Sequence, residues 1–353
     1  MKKHQNPIQA VATPRVTVVI PCYNYGHFLP QAVASALDQT GVDVDVIIVD
    51  DCSTDGSQSV ARDLAEADHR IRVILHDPNW GHIRTYNHGL AEATGNYVVL
   101  LSADDLLAPG ALERSTNLME ANPAVGLVYG YAPGFETSPF PGPGRRESWT
   151  IWNGVDWIGS MCRRGNNIIV NPEAVLRRST MEALIGYRED MPQAADMELW
   201  IRAASISDVG RVNGPEQAYY RIHSENMHRT EMSGVLREAE ARRDVFRSIG
   251  DLETLPPGVR NVLMNGAMKK VASEAVREAK KKSVAASEDD RSTSTLLMHF
   301  AAECDLSVKR TLAWKLLQLR RQQALPRFVV RTEDALHQLI WSVRWRRWRR
   351  SGI

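Results

Sequence analysis

Cysteine is scarce. Cys22, Cys52, Cys162 and Cys304 are spread over 353 residues, with no pair at the short spacing of a zinc knuckle and too few thiols for a disulfide framework. A reducing, cytoplasmic setting is the expectation. Long apolar runs are also lacking: no predominantly apolar stretch reaches the ~18 residues of a spanning helix, and the leader has no apolar signal core. The chain therefore reads as neither exported by a classical signal nor membrane-spanning. Excess charge of one sign is missing too. With 43 Lys and Arg against 42 Asp and Glu, nothing draws the body to nucleic acid, and no nucleic-acid partner is expected. No G-x-G-x-x-G occurs, which removes dinucleotide-dependent oxidoreductases, and no repeat of 20 to 50 residues is visible. At 43% hydrophobic and 24% charged, most of the chain is too apolar to be disordered.

The even balance hides one asymmetry. Residues 335–353 hold five Arg and no acid, leaving 38 basic against 42 acidic side chains elsewhere, a body of about −4. In this tail Trp341, Trp345 and Trp348 share one helical face, while Arg344, Arg346, Arg347, Arg349 and Arg350 occupy much of the rest. That composition suits a helix lying in a membrane interface and predicts peripheral contact at the inner face of the cytoplasmic membrane. Packing on the helical region or on a second subunit is the alternative.

Strand and helix patterns alternate through the first half. Residues 1–14 are polar, with Pro7 and Pro14, and read as a flexible leader. Val16 to Ile20 is a β-branched run, and Phe28 to Gln39 carries Leu29, Val33 and Leu37 on one helical face. A strand at Val44 to Val49, a helix capped by Ser53 or Asp55, a strand at Ile71 to Leu75 and a helix from Thr85 to Ala93 follow. Next come a strand at Tyr97 to Leu101, a helix opened by Pro109 and ending near Ala121, and a strand at Leu127 to Tyr131. Such alternation predicts an α/β domain, a largely parallel, Rossmann-like sheet flanked by helices. Ala132 to Gly144 is rich in Pro and Gly and reads as a surface loop. Beyond Gly234 strand-like runs cease, so 15–233 reads as the α/β domain and 234–353 as a helical C-terminal region broken at 287–294.

In open parallel sheets ligands bind outside the carboxyl ends of the strands. The polar residues gather there: Pro21, Tyr23 and Asn24 after the first strand, Asp50 and Asp51 after the second, Asp77, Asn79, Trp80 and Gly81 after the third, and Ser102, Asp104 and Asp105 after the fourth. Singly, each has an ordinary structural reading. Asp51 before STDG resembles a helix cap, Tyr23 a surface aromatic, and Asp104 and Asp105 dipole partners of the following helix. Acids recurring at successive strand ends favour a shared site.

These residues carry a resemblance. The stretches VTVVIPCYNYGHFLPQAVASALDQT, VDVIIVDDCSTDGS and NWGHIRTYNHGLAEATGNYVVLLSADD, followed by AADMELWIR and YRIHSENM, resemble the family 2 inverting glycosyltransferases of GT-A fold over residues 15 to about 230. The resemblance implies transfer of a sugar from a nucleotide-diphosphate sugar, a UDP-sugar above all, to a hydroxyl of a glycan or lipid-linked acceptor in polysaccharide biosynthesis. By position it implies that Pro21, Tyr23, Asp51, Asn79 and Asp104 bind the nucleotide-sugar, with Tyr23 stacking on the base and Asp51 hydrogen-bonding base or ribose. It also implies that Asp104 and His223 face a divalent metal, Mg²⁺ or Mn²⁺, and that Asp196 is the catalytic base. His223 keeps the alternative of an ordinary surface histidine after Tyr219 and Tyr220.

Two positions depart from the family pattern. Ser102 stands where the metal motif usually opens with an acid, and Ala195 stands where the presumed base usually has Glu before it. They keep a second reading open, a non-catalytic nucleotide-sugar-binding scaffold of a polysaccharide assembly complex. A phosphatase built on Asp43 and Asp45 fails because they lie at the amino end of their strand.

Overall fold

The structure is a computed structural model, and it describes residues 2–10, 12–139, 142, 144–226, 234–283, 288–322, 339–340 and 342–343. Twelve strands are present among them. They are β1 (Lys3–Gln5), β2 (Arg15–Cys22), β3 (Asp43–Asp50), β4 (Ile71–Leu75), β5 (Tyr97–Leu100), β6 (Leu106–Leu107), β7 (Val125–Tyr129), β8 (Gly134–Phe135), β9 (Ser148–Trp152), β10 (Val175–Arg177), β11 (Asp208–Asn213) and β12 (Ala218–Arg221). Helices α1 (Leu29–Leu37), α2 (Ser57–Ala67), α3 (His82–Ala91), α4 (Ala111–Ala121), α5 (Gly154–Arg164), α6 (Arg178–Leu184) and α7 (Ala195–Ile206) alternate with them.

Nine strands form one sheet in the order β1-β9-β11-β7-β10-β5-β2-β3-β4. The half running β5-β2-β3-β4 is wholly parallel. Strands β5, β2 and β3 are buried on both faces, which is why they read as unbroken apolar runs, whereas β4 forms the part-exposed edge. In the other half β10 lies antiparallel between β5 and β7, and β9 antiparallel to β11 and β1. Helix α3 lies close on the parallel half: a Cβ on Gly89 would sit 2.4 Å from Val19 Cγ1 and 2.8 Å from Val49 Cγ2. A second sheet, β6-β12-β8, has β12 antiparallel to β6 and parallel to β8.

Several expectations are corrected. The leader is not wholly without structure, since Lys3–Gln5 pairs with Trp149–Ile151 and borrows its order from that edge. The stretch 132–144 contains β8, held by β12. Neither Ser53 nor Asp55 is the cap residue of α2: Gly56, in the left-handed region at φ 93°, precedes it, and Asp55 accepts the Ser57 N–H at 2.9 Å. Likewise α4 starts at Ala111 behind a left-handed Gly110, two residues past Pro109.

The chain forms two compact units, one of residues 1–157 with 168–226, the other of 158–167 with the residues from 227 onward. Within the second, the described residues beyond 234 are helical: α8 (Val235–Ser248), α9 (Pro257–Ser283), α10 (Glu288–Cys304) and α11 (Leu312–Arg321). The break expected over 287–294 is largely helix, because Glu288, Asp289 and Asp290 occupy the first turn of α10, where acids complement the helix dipole. Among the described residues no helix is long and apolar enough to cross a membrane. The Trp and Arg residues of the tail named above lie outside the described residues.

Candidate active site

The carboxyl ends of β4, β3, β2 and β5 share one edge, and the expected residues lie along it. At the β5 end, Asp104 is buried and its Oδ2 meets His223 Nε2 at 2.9 Å, across 119 residues of chain. Strand β12 makes this meeting possible. Its last residue, Arg221, donates its backbone N–H to Asp105 Oδ1 (2.8 Å) and its Nε–H to the Asp104 carbonyl (2.7 Å), while Nη2 reaches Gln31 Oε1 (2.7 Å). Its guanidinium lies over the rings of Phe28 and Phe135. Asn226 Oδ1 then accepts the His223 N–H at 2.7 Å, folding the segment back on Asp104. Burial pushes the Asp105 carboxyl well above its ordinary pKa, the adjacent Asp104 charge adds to this, and the Arg221 N–H and guanidinium oppose it. Two adjacent acids thus differ in role: Asp105 anchors β12, and Asp104 faces the imidazole.

At the β3 end, Asp51 is 3% exposed and turned inward. Its Oδ1 lies 2.8 Å from His76 Nδ1 and accepts the Trp80 N–H at 2.8 Å, and its Oδ2 accepts the Gly81 N–H at 2.9 Å. Burial works to raise its pKa, but the Trp80 N–H, the His76 ring, the Thr85 hydroxyl and the Gly81 N–H outweigh it and hold the carboxyl below its ordinary value. Asp51 thus holds the loop after β4 through the donors around its oxygens. Asn79 supports the same loop, giving its side-chain N–H to the Asp51 carbonyl (2.7 Å) and accepting the Gly81 N–H (3.0 Å). Pro21 lies in the last turn of the β2 ladder opposite Val49. Tyr23, just beyond it, is 51% exposed, as a stacking face would be.

Asp196 stands in the first turn of α7. Below it Arg202 binds Glu198 with Nε at 2.6 and 2.8 Å from the two carboxylate oxygens, and its Nη1 and Nη2 donate to the carbonyls of Leu184 (2.7 Å) and Gly186 (2.8 Å). Asn87 of α3 grips the same turn, exchanging hydrogen bonds of 2.8 and 2.7 Å with the backbone of Tyr187. Glu198 and Arg202 are thus positioning residues for the helix that presents Asp196. Tyr86 connects the two ends of the edge. Half-buried, it packs edge-on against His82 and Tyr187, and burial followed by the charges of Asp196, Asp104 and Asp105 pushes its hydroxyl pKa up. Sequence reading missed Tyr86, His76, His88, Arg221 and Asn226. Only His76, first after β4, held a position that marked it.

Among the described residues no group of three or more His, Cys, Asp and Glu side chains surrounds a common point. The donor set at Asp104 and His223 nevertheless fits a divalent cation. One carboxylate oxygen and one imidazole nitrogen lie together at an open edge, and such ions commonly take few protein ligands when substrate phosphates complete the shell.

This α/β sheet, with its acids at the carboxyl edge and Asp196 on a helix beyond, has the architecture of the GT-A fold. Residues 17–178 match the family described as Glycosyl transferase family 2. Over 242 residues the chain is 29% identical to an uncharacterized glycosyltransferase of Nostoc sp., covering 65% of this chain and 70% of that one. It is 36% identical over 116 residues to the succinoglycan biosynthesis protein ExoO of Rhizobium meliloti, covering 33% of each. The fold is shared with S. aureus TarS 1-349 in complex with UDP-GlcNAc (TM-score 0.65, 15% identity, 88% of both chains). It is shared too with the mannosyltransferase PcManGT of Pyrobaculum calidifontis in complex with GDP-Man and Mn²⁺ (TM-score 0.55, 19% identity, 86% of this chain and 89% of that one).

Proposed function

We propose that the protein is an inverting, metal-dependent glycosyltransferase that moves a sugar from a nucleotide-diphosphate sugar, a UDP-sugar foremost, to a hydroxyl of a glycan or lipid-linked acceptor in polysaccharide assembly at the cytoplasmic face of the membrane. The observation that carries this reading is the Asp104–His223 pair, closed at 2.9 Å at the carboxyl edge of the sheet, with Asp196 in the first turn of α7. From the β5 end to the β4 end is three strand spacings, roughly 14 Å, the span of an extended nucleoside diphosphate. The donor lies along it, diphosphate at β5 and base toward β3 and β4, where Tyr23 and Pro21 line its path and Asn79 and Asp51 hold the loop. Residues 15–233 are assigned to the transferase domain and 234–353 to a helical region whose tail makes peripheral contact with an anionic membrane surface.

Asp104 and His223 would hold the cation, which when bound neutralises charge growing on the diphosphate leaving group. Asp196 takes the proton of the acceptor hydroxyl as that oxygen attacks the anomeric carbon. The carbon–oxygen bond to the diphosphate breaks on the opposite face, so one displacement inverts the centre. The nucleotides in the TarS and PcManGT complexes, and the Mn²⁺ in the latter, support this donor class.

Asp196→Asn tests the assignment. Turnover should fall by at least ~100-fold with donor affinity retained, since only the proton acceptor is lost. Unchanged turnover on a natural acceptor would remove Asp196 from the mechanism and favour the scaffold reading.

A further inference from the structure

The loop after β4 contains an arrangement that sugar transfer itself does not call for. His76 Nδ1 lies 2.8 Å from Asp51 Oδ1, and His76 Nε2 lies 2.8 Å from His88 Nδ1. Because a carboxylate only accepts, His76 donates from Nδ1, and its Nε2 is then free to accept the N–H of His88. Asp51 thereby orients His76 and, through it, His88, whose ring plane is within 8° of parallel to that of His76. On this floor rests the indole of Trp80, with centroids 4.0 Å from His76 and 5.2 Å from His88 and planes inclined by 17° in both cases. The backbone of the same tryptophan is tied to Asp51 through its N–H (2.8 Å), and the chain turns away immediately at Gly81, φ 82°, a conformation that favours glycine.

Trp80 is nevertheless 44% exposed. A large apolar ring left in water is ordinarily mobile. This one is clamped from beneath and through its own backbone, so its outer face is a rigid, pre-oriented plane. It stands at the carboxyl end of β4, three strand spacings from the Asp104 pole, and adjoins the β3 end through Asp51. The sugar of a bound donor lies beyond the diphosphate, toward Asp196, so what reaches Trp80 is the planar group at the other end.

We propose that Trp80 supplies a stacking face for the nucleobase of the donor in addition to Tyr23, and that Asp51, His76 and His88 are positioning residues that hold it flat. The inference rests on reading this edge as a nucleotide-sugar site. It assigns to Asp51 an indirect part in base recognition, through the loop it fastens.

The test separates base from phosphate. Calorimetric titrations with UDP, GDP and inorganic pyrophosphate, each with Mn²⁺, compare the parent with Trp80→Ala, Trp80→Phe and His88→Ala. Trp80→Ala should weaken UDP and GDP about 5- to 100-fold, the usual range for one lost base–aromatic stack, and leave pyrophosphate unchanged. Trp80→Phe, which keeps a ring, should recover most of the affinity while losing a component of the nucleotide-induced quenching of tryptophan fluorescence. His88→Ala should give a smaller loss, again confined to ligands with a base. Equal weakening of pyrophosphate would mean general damage to the edge, and unchanged UDP and GDP binding in Trp80→Ala would place the base elsewhere. Either result overturns the platform alone. A parent protein that bound pyrophosphate but neither nucleotide would overturn the donor reading and this inference with it.

Discussion

Arg202 is the residue whose loss the structure makes most costly around the presumed base. Its guanidinium donates to both oxygens of Glu198 and to the carbonyls of Leu184 and Gly186, all between 2.6 and 2.8 Å. Glu198 is 1% exposed. Arg202→Ala would leave that carboxylate buried without its counter-charge and two turn carbonyls without their donors, a change on the order of 3 to 5 kcal/mol for the broken buried pair. Arg202→Lys restores a charge but not a planar fork, and an ammonium cannot reach two carboxylate oxygens and two diverging carbonyls together. It should cost roughly 1.5 to 3 kcal/mol, the worth of a charged hydrogen bond or so. The double variant Arg202→Met with Glu198→Leu should be less destabilised than Arg202→Ala, since no unpaired charge remains buried. Urea unfolding followed by tryptophan emission suits the question, because Trp200 is buried in the same helix. If Arg202→Lys unfolded at the parent's midpoint, the fork would not be what fastens the 184–187 turn to α7.

The other predictions concern pH, metal and membrane. Glu173 is fully buried, and burial pushes its pKa up to about 8 against the lowering effects of the Val170 N–H and Arg211. An acid raised on folding stabilises the fold only while protonated, so stability should decline as pH rises from about 4.5 through about 8. Glu173→Gln should remove that decline, by on the order of 4 kcal/mol above pH 8, and parallel pH–stability curves for the two proteins would refute it. Asp104→Ala and His223→Ala should each abolish the Mn²⁺-dependent part of UDP binding, whereas equal parent affinity with and without metal would deny the pair that role. A truncation after Asp334 should lose co-sedimentation with anionic vesicles, each of the five Arg contributing on the order of 1 kcal/mol at low salt. Equal pelleting of full-length and truncated chains would dismiss the tail as the contact.

What could be read from the sequence, and what could not, divides by the range of the interactions concerned. Strands β2 and β3 are buried on both faces, so Val16 to Ile20 and Val44 to Val49 announce themselves as runs, Ile71 to Leu75 does so by its β-branched residues, and the acids that follow mark the edge. Strand β10 is three residues long and exists because β5 and β7 stand on either side of it. Strand β1 exists because β9 offers an edge some 146 residues away. Nothing local specifies either. The site divides in the same way. Asp104 was visible at its strand end, but only β12, carrying Arg221 across to Asp105, delivers His223. Asp51 was visible too, but the hydrogen bonds that surround it are a tertiary property. The same acid that in isolation looks like a helix cap meets Trp80, Gly81 and His76 once the loop folds over it. The loop it fastens leaves the Trp80 indole 44% exposed above the His76 ring, the face proposed for the nucleobase.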